Sequence, residues 1–159
     1  MVLSVGEVNK NKNHKVGIEA LAKLNYPDVY YVICGRGPLM DAHKELAKEL
    51  GVGDKVVLTG YRTDVADFYK MADVFMFPSF REGLPVAVME AMASGLPVVA
   101  TKIRGSSDLV QQGALFDPTD ADGMAKAIEE MQLCKVKHAT AIFDIHKVME
   151  AMKATYEIE

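Results

Sequence analysis

The sequence predicts an α/β protein: a doubly wound parallel sheet of about six strands with helices on both faces. Three observations carry that prediction. Short β-branched runs alternate with segments of helical period along most of the chain. Within the strand read at Asp73 to Phe77, the run Val74 to Phe77 is continuously apolar, as a strand covered on both faces must be. The strand-end loops begin at Gly6, Gly35, Gly60, Ser79 and Thr101, and the three glycines permit close backbone approach where such sheets bind ligands.

The elements follow in order. Val2 to Gly6 reads as the first strand, and Lys12 to Asn25 as a helix with Val16, Ala20, Leu21 and Leu24 on one stripe. Val29 to Cys34 is a second strand. Pro38 to Leu50 is a helix stopped by Gly51. Lys55 to Thr59 is a third strand, followed by a short helix from Asp64 to Met71 with Thr63 or Asp64 as its cap. Asp73 to Phe77 is the fourth strand. Pro85 to Ser94 is a helix, with Pro85 in the first turn where its missing N–H costs nothing. Gly95-Leu96-Pro97 turns into a fifth strand, Val98 to Ala100. Ser106 to Gln112 is a short helix, Ala114 to Phe116 a sixth strand, and Asp120 to Met131 a helix capped at Thr119 or Asp120. Ile142 to Tyr156 is a last helix, with Ile145, Val148, Met149 and Met152 on its apolar side. Right-handed crossovers between such strands place helices on both faces.

The 159 residues form one domain, 1–159, able to bury a single substantial core. A net charge of -4 argues against a nucleic-acid partner, which calls for a basic face. No apolar run reaches transmembrane length, and Met1 leads straight into a strand with no leader peptide. That abrupt start suggests an excised domain. Cys34 lies in an apolar strand and Cys134 in a polar segment after a helix; without CxxC spacing, two such cysteines suggest reduced thiols in the cytoplasm.

The chemistry concentrates in Phe80-Arg81-Glu82-Gly83-Leu84-Pro85-Val86-Ala87-Val88-Met89-Glu90. Glu82 falls in the loop at the carboxyl end of the fourth strand, and Glu90 about one and a half turns into the next helix. The helix start faces an anion favourably, and each carboxylate accepts two hydroxyl donors from a diol. Glu90 stands among Val86, Met89, Ala91 and Ala93, which argues against a solvent-facing position. The bland alternative makes Glu82 a surface loop residue and Glu90 a solvated helix position.

This segment resembles the E-x7-E signature of retaining glycosyltransferases of family 4, which have two Rossmann domains (the GT-B architecture). The resemblance covers roughly Leu3 to Met131 and is closest to bacterial enzymes of capsular, exopolysaccharide and other surface-glycan synthesis. It implies that the chain is the Rossmann-like C-terminal, donor-binding half of such an enzyme. The acceptor-binding N-terminal domain is absent from this chain, and the whole enzyme is roughly twice as long.

By that resemblance Glu82 holds the transferred hexose, and Glu90 grips the ribose hydroxyls. Arg81, Gly83, Leu84 and Pro85 face sugar and diphosphate. Gly6 opens a loop in which Lys12 matches a phosphate-contacting lysine, while Glu7 stands where an arginine is usual. Lys10 or Lys15 then offers the compensating charge. Gly35, in Cys34-Gly35-Arg36-Gly37-Pro38, matches a Gly-x-Gly-Pro turn, and Gly60 with Tyr61 matches the loop that pairs with the nucleobase. Thr101 to Asp108 resembles a Gly-Gly-x-x-Glu loop in which Arg104 replaces the first glycine and Asp108 the glutamate. These departures point to a particular acceptor or sugar.

The implied reaction uses a nucleoside-diphosphate sugar as co-substrate, with no further cofactor and no metal. A glycan or lipid-linked acceptor receives the hexose at the cytoplasmic side, the full-length enzyme being peripheral at the inner face of the membrane. The isolated domain is expected to be inactive.

Other features have plainer readings. Asp120-Ala121-Asp122 spells an Asp-x-Asp metal motif, yet acidic residues suit a helix start without any metal. His14, His43, His138 and His146 lack ligand spacing, and His14 at a helix start is expected to be exposed. Two alternative functions stand beside the first. A dinucleotide-dependent dehydrogenase needs G-x-G-x-x-G after the first strand, but Gly6-Glu7-Val8-Asn9-Lys10-Asn11 supplies one glycine. A sugar-nucleotide epimerase half, or a non-catalytic binding module of the same architecture, remains the second reading.

Overall fold

The computed structural model describes residues 1–24, 26, 28–110 and 114–134. Six strands run in chain order as β1 (Val2–Val5), β2 (Tyr31–Cys34), β3 (Val56–Gly60), β4 (Val74–Phe77), β5 (Val98–Thr101) and β6 (Ala114–Phe116). Between and after them lie α1 (His14–Lys23), α2 (Met40–Glu49), α3 (Val65–Met71), α4 (Val86–Ala93), α5 (Arg104–Leu109) and α6 (Ala121–Cys134). All neighbouring strands pair in parallel, in the order β3-β2-β1-β4-β5-β6. The Rossmann-like doubly wound sheet is therefore as the alternating pattern predicts. The chain reverses its direction of sheet growth between β1 and β4, the place where such sheets hold ligands.

Alternate strand residues feed two cores. Val2, Ile33, Val74, Met76 and Val99 pack under α1, α2 and α6 through Ile18, Leu21, Ala47, Met124 and Ile128. Leu3, Val32, Phe75, Phe77 and Ala100 pack on the opposite face under α3 and α4 through Tyr69, Val88 and Ala91. Each large apolar side chain so buried contributes about 1.5–3 kcal/mol over leaving it in water.

Helix ends follow local chemistry, and several differ from the periodicity. α1 starts at His14 because Asn13 takes a left-handed conformation, φ 51°, which a helix cannot include. Lys12 is thereby left in the preceding turn. α2 starts at Met40, two residues past Pro38, and α5 at Arg104, two before Ser106. α2 and α4 both end on glycines with positive φ, Gly51 and Gly95. The N–H groups of Val52 and Leu96 reach back to Ala47 O and Ala91 O, and those of Gly51 and Gly95 to Lys48 O and Met92 O, satisfying carbonyls the helix leaves open.

At α6 the Asp120 carboxylate accepts the Gly123 N–H at 2.7 Å, a capping bond. Asp64 caps nothing, since its carboxylate is held by the Arg62 fork at 2.8 Å through Nε. Cys134 belongs to α6 rather than to a segment after it. The expected helix Ile142 to Tyr156, together with Asn25, Gln112, His138 and His146, lies outside the described residues. No helix among the described residues is long and apolar enough to cross a membrane.

Candidate functional site

Two asparagines of the β1–α1 loop bind it to the loop that follows β4. Asn13 donates its amide to Pro78 O at 3.1 Å and to Pro118 O at 2.8 Å. Asn11 donates to Arg81 O at 2.9 Å, and its own carbonyl accepts the Phe80 N–H. These bonds hold Lys12 opposite Glu82. Lys12 Nζ donates to Glu82 Oε1 at 2.6 Å, and the two side chains are only 22% and 17% exposed. The ammonium also stands 5.2 Å from the centre of the Phe77 ring, a favourable cation–π distance. Two residues 70 positions apart thus form one charged unit at the ends of the two strands flanking the switch point.

Beside that unit lies a cavity of about 780 Å³ over the carboxyl ends of β1, β2 and β3, lined by Gly6, Gly35, Met40, Tyr61, Arg62 and Glu7 among others. The glycines shape it by permitting contact. A Cβ on Gly35 would lie 1.8 Å from Gly6 O, and one on Gly6 would meet the Lys12 stem at 3.2 Å. Gly35 N–H donates to Gly60 O, drawing the β2 and β3 loops together. Arg36 lays its guanidinium 5.6 Å from the Tyr61 ring centre, and both residues line the cavity wall. The volume falls in the range of small-molecule sites.

The carboxylates divide their contacts. Glu82 faces Lys12, whereas Glu90 accepts a hydrogen bond from Tyr69 Oη at 2.9 Å. Glu90 is exposed, so the expectation that its apolar neighbours bury it is wrong. Val86 is itself 54% exposed, because α4 packs through Val88 and Ala91 and leaves the other stripe open. The carboxylate and burial together push the Tyr69 hydroxyl's pKa above the ordinary phenol value. Of the remaining sequence candidates, Arg81, Gly83 and Leu84 are exposed on the loop and Pro85 is buried at the start of α4, where no side chain caps the helix. Gly105 closes the loop from below: a Cβ there would lie 2.9 Å from Gly83 O.

His14 is 1% exposed rather than open to solvent. Its ring meets His43 edge-on, centroids 6.2 Å apart, and burial beside His43 and Lys12 pushes its pKa down to about 3. Sequence reasoning also missed Tyr69 as the partner of Glu90, the Arg36–Tyr61 stack and the two asparagine stitches. Only the Asn-Lys-Asn run signalled the last of these, as residues that bond to backbone from loops. Among the described residues no group of three or more His, Cys, Asp or Glu gathers as a metal would require. Asp122 pairs with Lys23 at 2.7 Å, which accounts for the Asp-x-Asp motif alongside the Asp120 cap.

The fold is a Rossmann-like doubly wound sheet with a cation–carboxylate pair at its switch point and a glycine-lined cavity beside it. The family described as "Glycosyl transferases group 1" matches residues 1–142, and the chain belongs to it. It is 35% identical over 134 residues to the lipopolysaccharide core biosynthesis glycosyltransferase LpsE of Rhizobium meliloti, covering 82% of this chain and 39% of that protein. It is 32% identical over 134 residues to the N-acetylgalactosamine-N,N'-diacetylbacillosaminyl-diphospho-undecaprenol 4-alpha-N-acetylgalactosaminyltransferase of Campylobacter jejuni, covering 82% of this chain and 36% of that protein. The crystal structure of Anabaena HepE in complex with UDP superposes with a TM-score of 0.86 at 26% identity, over 98% of this chain and 48% of that one. The chain thus spans less than half the length of each of these three relatives.

Proposed function

We propose that this chain is the donor-binding domain of a retaining glycosyltransferase that moves a hexose from a nucleoside-diphosphate sugar to a glycan or lipid-linked acceptor in surface-polysaccharide synthesis. The observation that carries this reading is the Lys12–Glu82 unit beside the glycine-lined cavity. The nucleoside enters the cavity between Gly35 and Tyr61, where the Gly60–Tyr61 backbone meets the base. The diphosphate crosses Gly6 to Lys12 and the open start of α4, and the hexose reaches Glu82. Glu90 takes the ribose hydroxyls, its carboxylate oriented by Tyr69.

Under this scheme no protein nucleophile is needed. Lys12 and the α4 start stabilise the charge that grows on the departing diphosphate. Glu82 orients the sugar through its hydroxyls, and the leaving phosphate oxygen takes the acceptor proton on the face from which it departs. Most of the acceptor site lies in an N-terminal Rossmann domain outside this chain, and the enzyme works at the cytoplasmic face of the membrane. UDP is the first nucleotide to test, since the HepE neighbour holds it.

Isothermal titration of the chain with UDP, GDP and ADP tests the reading, together with the melting temperature, which a ligand that binds only the folded state must raise. Weak, saturable binding of one nucleotide and loss of it in Lys12→Ala is the expected result. Nucleotide-independent melting, or measurable sugar transfer by this chain alone, would contradict it.

A further inference from the structure

The cations of this acidic protein are not spread evenly between paired and unpaired positions. Those on α1, α2 and α3 are neutralised by neighbours: Lys15 by Glu19, Lys23 by Asp122, Lys44 by Asp41, Lys48 by Glu45 and Lys70 by Asp67. Arg81, Lys102 and Arg104 are exposed and form no ion pair among the described residues. All three leave the carboxyl ends of β4 and β5, adjacent parallel strands with Phe77 paired to Ala100. The backbone gathers them further. Gly105, next to Arg104, packs against the Glu82–Gly83 peptides, so closely that an added Cβ would lie 2.9 Å from Gly83 O and 3.1 Å from Glu82 O. The Lys102 N–H is tied to Phe116 O at 2.7 Å. Carboxylates close by in the chain are engaged elsewhere or unpaired with these cations: Glu82 is held by Lys12, the Asp117 carboxylate accepts from Thr119, and Asp108 on α5 forms no ion pair among the described residues.

Sheet order gives these cations a place relative to the donor, and the argument rests on the donor reading above. Following β3-β2-β1-β4-β5 across the rim, the nucleoside cavity covers β3 and β2, Lys12 follows β1, and Glu82 follows β4. The next position along the same line, beyond the hexose, is the β5–α5 turn with Lys102 and Arg104.

We propose that Lys102 and Arg104 form a subsite for the diphosphate of a lipid-linked acceptor. Two exposed cations one residue apart, one of them able to form a bidentate fork, match a diphosphate better than a neutral sugar. The donor diphosphate is already met by Lys12, so a second cation cluster beyond the sugar serves a second anion.

The test measures geranyl diphosphate, inorganic pyrophosphate and galactose 6-phosphate binding to the chain by titration, with UDP held at saturation. Binding of both diphosphates in the presence of UDP is the expected result. The Lys102→Gln/Arg104→Gln variant should weaken it at least tenfold while UDP affinity stays as in the wild type. Displacement of the diphosphates by UDP, or a double variant that binds them like the wild type, overturns the subsite. Binding of galactose 6-phosphate alone overturns the diphosphate assignment in favour of a phosphorylated glycan. The Lys12→Ala variant keeps the two readings apart. It is expected to lose UDP and retain pyrophosphate; if the wild type never binds UDP, the donor reading fails whatever the rim does.

Discussion

Lys12 Nζ sits 2.6 Å from Glu82 Oε1, so the two groups assigned to opposite ends of the donor neutralise each other in the ligand-free protein. A diphosphate can use the Lys12 charge only by drawing it away from Glu82. Glu82→Gln removes that competition while keeping a hydrogen-bond acceptor. UDP should therefore bind the variant up to about fivefold more tightly, since an ion pair near the surface is worth up to about 1 kcal/mol and 1.4 kcal/mol is tenfold. The melting temperature should change little, and sugar transfer in the full-length enzyme should be abolished. Calorimetric titration of the variant checks this. Unchanged or weaker UDP binding would sink the competition argument.

Glu90 and Tyr69 make a second, separable prediction. If Glu90 accepts the ribose hydroxyls, Glu90→Gln should weaken UDP about tenfold and leave inorganic pyrophosphate nearly unaffected, because a hydrogen bond to a charged group is worth roughly 1.5–3 kcal/mol. Tyr69→Phe removes the bond that orients the carboxylate. It should produce a smaller loss of the same kind, with stability reduced by about 1 kcal/mol. Parallel titrations with the two ligands decide it: equal weakening of both by Glu90→Gln would remove Glu90 from the ribose.

Gly35 and Gly60 carry the same residue for different reasons, and alanine separates them. At Gly35 the added methyl would lie 1.8 Å from Gly6 O, so the β1 and β2 loops must part. Gly35→Ala should cost about 3 kcal/mol, the upper end of overpacking, and lose UDP binding. At Gly60 the backbone is left-handed, φ 74°, with nothing within 4 Å of the methyl. Gly60→Ala should cost about 1–2 kcal/mol through conformation alone and bind UDP within a few-fold of wild type. Urea unfolding of both variants measures the difference. Equal costs would mean that the close approach does not matter.

The six strands and the helices between them were legible because period-2 and period-3.6 patterns are local; their order in the sheet and the division of the core into two faces were not. The Phe75–Met76–Phe77 run announces a strand with both faces covered, and its neighbours in sequence lead it there. Glu82 was legible as a candidate by residue type and loop position, and Lys12 through the family resemblance. Their mutual bond was not, because it joins loops 70 residues apart and depends on Asn11 and Asn13 bonding to carbonyls that no pattern reveals. Glu90 shows the opposite failure. Its apolar neighbours suggested burial, but α4 is apolar on more faces than it buries, so local composition misjudged which stripe meets the sheet. Helix starts slipped for a related reason: one left-handed Asn13 outweighs the helical period around it.

His14 supplies the last prediction. A residue placed by sequence at an exposed helix start is buried against His43, its Nδ1 unpartnered, and its pKa pushed down to about 3 from 6.5. Burial lowers His43 in the same direction. With the folded value depressed, both states are neutral above pH 6.5 and the histidine costs nothing. Below 6.5 the unfolded chain binds a proton that the folded chain refuses, so stability falls as pH falls, until the folded value near 3 is reached. The slope approaches about 1.4 kcal/mol per pH unit for each such histidine. Between pH 6.5 and 5 most carboxylates are still ionised, which isolates the effect. Urea unfolding over that window should show wild-type stability declining with acid, and a His14→Gln variant, less stable at neutral pH, declining with a shallower slope. Parallel slopes for the two proteins would show that His14 takes up its proton in the folded state and is not sealed from water.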